Sequence, residues 1–333
     1  MKVHGSITIK LLILFGFSVV LPLSVFAASA PSKIVVTFGG LSERSGALFV
    51  AQDAGLFQKH GLDAQVVNVR SGQVGMAALA SGETQFHAGS ATGASIGVMA
   101  GGLDLVFIAG LINKLDGTFV VNPSIKTPAD LKGKTIAVQS IGGGIWMFTM
   151  LAFEHWGLNP ERDGIKLRVV SDQAVIAQAI AAGMVDGGYL GYTFGAQLER
   201  QGFRILADLA KLGIPYQGLG IMARRNLLER SPDVAEKSLR AMVDAIAFIN
   251  KPDNKSAVMK SLAKGLRLPK VEDAAAGYEM MKILYDRRIF PNLEGLRNVV
   301  NLLGRSNDQI RRIKVEDIID NRVVRKLEKE GLF

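Results

Sequence analysis

Beyond residue 30 the apolar positions alternate between two periodicities. Residues 33–38 (KIVVTF) are a short β-branched run, the pattern of a strand buried on both faces. After a loop at 39–46, residues 47–60 carry Leu48, Phe49, Ala51, Ala54 and Leu56 at helical spacing, and Gly61 closes that helix. The alternation continues with a strand at 64–69, a helix at 72–80, a strand at 84–88, a helix at 92–100 and a strand at 105–109. Such a series predicts a parallel sheet with right-handed crossovers and helices on both faces.

The order then repeats. Strands are predicted at 119–121, 134–139, 166–170 and 185–190, with helices at 145–156 and 173–182. His60-Gly61-Leu62-Asp63 overlays Trp156-Gly157-Leu158-Asn159, Ser71-Gly72-Gln73 overlays Ser171-Asp172-Gln173, and Ala78-Leu79-Ala80-Ser81-Gly82 overlays Ala179-Ile180-Ala181-Ala182-Gly183. These offsets are 96, 100 and 101 residues, in the same order across two strand-helix-strand units. Two lobes of similar topology follow. Further helices are expected at 231–249, 271–287 and 292–303.

The first thirty residues stand apart. Lys2 and Lys10 precede an apolar run at 11–26, and Ala27, Ala28, Ser29 and Ala30 follow. This is the pattern of a secretory signal peptide, with cleavage expected after Ala27; a cut after Ala30 would place Pro31 beside the scissile bond. Export would reduce the formal charge from +9 to +7 by removing Lys2 and Lys10. The absence of cysteine excludes a disulfide scaffold, Cys-ligated zinc, a thiol nucleophile and a lipoprotein anchor.

Candidate chemistry collects after the strands, at Gly39-Gly40-Leu41-Ser42, Arg70-Ser71-Gly72-Gln73, Gly89-Ser90-Ala91-Thr92, Ser140-Ile141-Gly142-Gly143-Gly144 and Ser171-Asp172-Gln173. In an open parallel sheet, ligands bind outside the carboxyl ends of the strands. Small residues let a ligand approach the backbone, and helix N-termini offer free N–H groups. The same residues also serve as ordinary helix caps, and for any one junction capping is the stronger expectation.

Catalytic and nucleic-acid signatures are weak. The triple glycine at 142–144 lacks the spacing of a dinucleotide or P-loop site, and no G-x-S-x-G elbow is present. His60, His87 and His155 lack metal-ligand spacing. The C-terminal Lys and Arg residues are interleaved with acids and lack aromatics, which argues against nucleic acid. No catalytic residue, metal or cofactor is expected.

Residues 48–63 resemble the A-x-x-x-G-hydrophobic-F-x-x-x-G-L helix of the periplasmic solute-binding proteins that serve nitrate, sulfonate, taurine and thiamine-precursor ABC importers. Ser71-Gly72, Ala77-Ala78-Leu79-Ala80-Ser81-Gly82-Glu83, Asp130-Leu131-Lys132-Gly133-Lys134 and Gly183-Met184-Val185-Asp186 are similar to that family as well. The resemblance implies an α/β, two-lobed periplasmic-binding-protein fold of type II, with parallel-rich sheets, helices on both faces and a ligand cleft between lobes. It implies a signal peptide at 1–27, lobe one at 31–115 and 222–333, and lobe two at 118–218. The chain would cross between lobes near 113–118 and return near 217–221. A monomeric periplasmic carrier would then capture a small solute by hinge closure and deliver it to a permease.

On that picture Ser42, Ser71, Gln73, Ser90 and Thr92 face the cleft from lobe one. Gly142, Gly143, Asp172, Tyr189 and Tyr192 face it from lobe two, with Asn113 and Tyr216 at the crossings. Arg44 and Arg70 are the nearest cations, and the solute could be a sulfonate, nitrate, taurine or an aromatic or pyrimidine-like compound; if neither cation enters, a neutral or aromatic solute stays open. The family's thiamine-pyrimidine synthases rely on cysteines that this chain lacks; an exported sensory or partner-binding module is the remaining alternative.

Overall fold

The structure, a computed structural model, describes residues 1, 2, 4, 5, 30–69 and 71–333. The expected cleavage point at Ala27 and the candidate cation Arg70 lie outside these residues. Met1–Ala30 separates as one unit and Pro31–Phe333 as another, and the fold is that of the second. Among the described residues no helix is long and apolar enough to cross a membrane.

The unit opens with β1 (Ser32–Gly39), α1 (Gly46–Asp53), α2 (Leu56–Lys59), β2 (Leu62–Val69), α3 (Gly72–Ser81), β3 (Phe86–Gly89), α4 (Gly93–Ala100) and β4 (Leu105–Lys114). The helix expected over 47–60 is two, because Gly55 adopts φ 66°, a left-handed turn that interrupts the hydrogen-bond ladder. The chain then forms β5 (Thr118–Val121), β6 (Thr135–Val138), α5 (Gly144–His155), β7 (Lys166–Val169), α6 (Gln173–Ala181), β8 (Gly187–Leu190), α7 (Tyr192–Arg200), β9 (Arg204–Asp208) and β10 (Pro215–Arg224). It finishes with α8 (Arg225–Arg230), α9 (Pro232–Ile249), α10 (Lys255–Leu266), α11 (Ala275–Leu284), α12 (Leu293–Gly304), α13 (Asp308–Arg311) and α14 (Arg322–Lys329).

Two five-stranded sheets result, ordered β2-β1-β3-β10-β4 and β7-β6-β8-β5-β9. In each, the three strands of the α/β series pair in parallel and the fourth runs antiparallel to its neighbours. The uniformly parallel sheet expected from the alternation is therefore mixed. β4 does not neighbour β3; the strand that returns from the second sheet is inserted between them. β10 pairs with β4 from Pro215 opposite Lys114, so the return lies just before Pro215 and not at 217–221, which is strand interior.

The internal repeat has a physical basis in its helix stops. Gly61 and Gly157 overlay, as do Gly82 and Gly183, and all have positive φ (72°, 68°, 90° and 68°), the region that a Cβ disfavours. One apolar cluster packs Ile34, Val36 and Phe38 of β1 against Leu48, Leu239 and Met281 of α1, α9 and α11. A second begins under the opposite face of the first sheet, with Met76, Ile96 and Leu296, and continues through Tyr216 into Phe119, Ile136 and Phe153 of the second sheet. Burying each such Phe or Leu fully contributes roughly 1.5–3 kcal/mol.

Candidate functional site

The carboxyl ends of both sheets face a common cavity of about 60 Å³. The first sheet supplies Ser42, Ser45 and Arg44 from the loop after β1, Gly72 and Met76 from α3, His87 from β3, and Ser90 and Thr92 from the β3–α4 junction. From the second sheet come Gln139, Gly144, Ile145, Phe148 and Gln173.

Arg44 organises this region. It lies in the 3-10 turn Glu43–Ser45 and is 6% exposed. Its guanidinium forms an ion pair with fully buried Asp116, which sits in the crossing segment between β4 and β5. It also donates to Gly218 O of β10 and to Ser90 Oγ at 3.2 Å, and it stacks 4.7 Å from the centre of the Phe148 ring. A planar fork can meet a carboxylate, a carbonyl and an aromatic face together, which an ammonium cannot do. One side chain thus joins the first sheet, the crossing and α5.

His87 lines the cavity, with Nδ1 2.9 Å from Thr37 Oγ1. Burial lowers its pKa to about 4, only partly opposed by a hydrogen bond to the Thr37 backbone, so the ring is neutral at pH 7. Two glycines make room for it: a Cβ on Gly75 would lie 2.2 Å from His87 Cε1, and one on Gly89 would lie 2.8 Å from Nε2.

Glu43, beside Arg44, crosses to the other lobe. Its carboxylate accepts from Tyr192 N–H at 2.7 Å, from Thr193 N–H at 3.4 Å and from Thr193 Oγ1 at 2.9 Å, at the start of α7. The N-cap of α7, Gly191, has no side chain to do this, and a Cβ there would come 2.7 Å from Glu43 Oε1. A first-lobe carboxylate therefore caps a second-lobe helix, where the free N–H groups and the helix dipole favour negative charge. Gln173 Oε1 accepts from Gly191 N–H at 2.6 Å beside it.

The rim is closed. Gln73 Nε2 donates to Ile141 O at 3.2 Å and reaches Ser140 Oγ at 3.5 Å, and Ala94 N–H donates to Gly142 O at 3.3 Å.

Of the residues picked out by sequence, Ser42, Ser90 and Thr92 line the cavity. Thr92 also forms a reciprocal capping box with Ser95, accepting from Ser95 N–H at 3.2 Å while Ser95 Oγ accepts from Thr92 N–H at 2.8 Å. Gln73, Gly142 and Gly143 lie at the lobe-to-lobe rim or the start of α5, and Ser71 precedes α3; none of these four lines the cavity. The others are placed elsewhere, for identifiable reasons. Asp172 caps α6, accepting from Ala174 N–H at 3.0 Å and Val175 N–H at 3.2 Å. Asn113 donates to Phe290 O at 2.9 Å, tying the crossing to the C-terminal segment.

The three tyrosines are packing residues in this structure. Tyr189 lies 4.6 Å and Tyr216 5.2 Å, ring to ring, from Phe148. Tyr216 donates to Ala91 O at 2.7 Å and Tyr192 to Asp208 Oδ1 at 2.8 Å. Burial pushes all three phenols above their ordinary range. Among the described residues no cluster of three His, Asp or Glu side chains could hold a metal.

The fold is two-lobed, with a cavity between the carboxyl ends of its two sheets. The chain belongs to the family described as NMT1/THI5 like, whose model matches residues 43–255. The nitrate/nitrite binding protein NrtA of Nostoc sp. (strain PCC 7120 / SAG 25.82 / UTEX 2576) is 27% identical over 150 residues, which is 44% of this chain and 33% of that protein. The match thus spans a third of the relative's length. The alkanesulfonate-binding protein SsuA from Xanthomonas axonopodis pv. citri, bound to MOPS, shares the fold at 20% identity and TM-score 0.71, with 88% of this chain and all of that one covered. The periplasmic nitrate-binding protein NrtA from Synechocystis PCC 6803 does so at 15% identity and TM-score 0.73, covering 90% and 89%. The desulfurization enzyme DSZB has the fold too, at 15% identity, 90% and 99% coverage and TM-score 0.64.

Proposed function

We propose that this chain is the periplasmic solute-binding component of an ABC importer: a monomer, without catalytic activity, that captures a small solute by closing two lobes and presents it to an inner-membrane permease. The observation that carries this reading is the cavity enclosed between the strand ends of both sheets, with Glu43, Gln73 and Ala94 reaching from one lobe to the other around it. Family membership and the curated nitrate/nitrite-binding relative support it. Lobe one comprises 31–115 with the C-terminal part of the chain, and lobe two begins at 118 and ends before β10. Ser42, Ser90 and Thr92 meet the solute from the first, Phe148 and Gln173 from the second. Export follows cleavage after Ala27.

A thermal-shift screen of the exported protein tests the reading, because a solute at 100 times its dissociation constant stabilises by about 2.7 kcal/mol. Small-angle scattering with and without the compound that shifts it should report closure. Turnover of that compound, or a species other than a monomer by light scattering, would contradict the corresponding part. N-terminal sequencing of exported protein fixes the cleavage point.

A further inference from the structure

The charges around the cavity point to a solute class. Among the described residues that line it, Arg44 is the one cation. That cation is already engaged: Asp116 holds it in an ion pair from which water is excluded. Asp116 has a second oxygen, also buried, that no described residue meets with a hydrogen bond. Of the helix starts around the cavity, α7 is filled by the carboxylate of Glu43 and α4 is capped by Thr92 and Ser95, while α3 and α5, whose first residues Gly72 and Gly144 line the cavity, carry no side-chain cap. Two buried carboxylates thus stand against one buried guanidinium. A free anion entering here would have to compete with both carboxylates, which are themselves buried away from screening water.

What the lining does offer suits an uncharged compound. Ser42, Ser45 and Ser90 supply hydroxyls that can donate or accept, and Gln173 supplies an amide. Phe148, Met76 and Met222 supply apolar and aromatic surface. A polar solute without formal charge can satisfy the first set and bury its remaining surface on the second.

We infer that the cavity admits an uncharged hydrogen-bonding solute, and that Asp116 is the specificity-determining residue, excluding nitrate and sulfonates by keeping Arg44 neutralised. The inference rests on the solute-binding reading and deepens it. Asp116 acts through Arg44 and does not itself line the cavity, so its effect should be on which charge class binds, beyond any effect on folding.

The test is calorimetric titration of the wild type, Asp116→Asn and Asp116→Asn/Arg44→Gln with sodium nitrate, methanesulfonate, urea and acetamide. The wild type should show no dissociation constant below about 1 mM for either anion, and Asp116→Asn should gain at least about tenfold for one of them. That gain should vanish in the double variant, because it belongs to the freed guanidinium. Wild-type binding of nitrate or methanesulfonate with a dissociation constant below about 1 mM would overturn the inference while leaving the solute-binding reading intact. So would a folded Asp116→Asn with no gain for either anion. If Asp116→Asn does not fold, the wild-type anion titration decides alone. Loss of wild-type anion binding on Arg70→Gln would show that a second cation serves the site, which also overturns the inference. The broader reading fails separately, if no compound of any charge class shifts the wild type while Asp116→Asn still gains the anion.

Discussion

The two lobes share a strand order but not a chemistry. In both sheets three parallel strands are followed by an antiparallel fourth, so the topology offers each lobe the same ring of strand-helix junctions. The first lobe fills its junctions with hydroxyls, a guanidinium and an imidazole; the second supplies amides, a glycine and apolar surface. The second lobe's helix start at α7 is occupied by a first-lobe carboxylate. Duplication of a fold therefore duplicates the places where a ligand can sit. Which half carries the polar recognition depends on a few side chains placed afterwards.

The largest break in this asymmetry should come from Arg44→Ala. It leaves Asp116 buried and unpaired, and removal of one partner of a buried pair costs about 3–5 kcal/mol. Urea denaturation should show that loss, with most of it regained in Arg44→Met/Asp116→Leu, where both charges are gone. A cost of less than about 1 kcal/mol would mean that the pair does not organise the lobe junction.

Next comes pH. The folded pKa of His87 is about 4, against 6.5 for the free side chain. The unfolded chain therefore takes up a proton that the folded one refuses. Stability from this group is full above pH 6.5, declines as pH falls towards 4, and levels off below, for a total of roughly 3 kcal/mol. His87→Gln should flatten that segment of a stability-against-pH curve; an unchanged slope would place its origin elsewhere.

Glu43→Gln should cost about 1–2 kcal/mol by weakening the cap on α7. It should also shift scattering of the solute-free protein towards a more open form, which a purely local role would not do. The smallest effect is expected from Asp172→Ala, about 1 kcal/mol from loss of an ordinary cap. Solute affinity should stay the same, and a marked loss of affinity would move this second-lobe junction into the site.

The sequence makes local order visible and hides distant partnership. Strand and helix periodicities, and glycines such as Gly61 and Gly157 that stop helices, are local, and they located most of the parallel framework. The insertion of β10 between β3 and β4 is not local, so the antiparallel pairing and the earlier return were missed. The break between α1 and α2 could have been read from Gly55, had it been weighed as a left-handed turn.

At the site, the small-residue junctions indicated Ser42, Ser90 and Thr92, because strand ends are placed by topology. Arg44 was visible as a nearby cation, but Asp116, its partner 72 residues on, was not. Glu43 and its helix, 149 residues apart at Tyr192, were equally hidden. Tyr189, Tyr192 and Tyr216 show the converse limit, since a tyrosine that packs and one that binds look alike in sequence. His87 lacked metal-ligand spacing, and nothing in its neighbourhood marked it as a buried neutral ring.

The placement of β10 also governs the timing of folding. β4 has a single strand partner in its sheet, β10, which the ribosome makes only after the whole of the second sheet. Until residues 215–224 exist, β4 and one side of β3 have no ladder to join. Pairing strands so far apart in sequence is intrinsically slow. The first sheet consequently cannot be completed until every strand of the second has been synthesised.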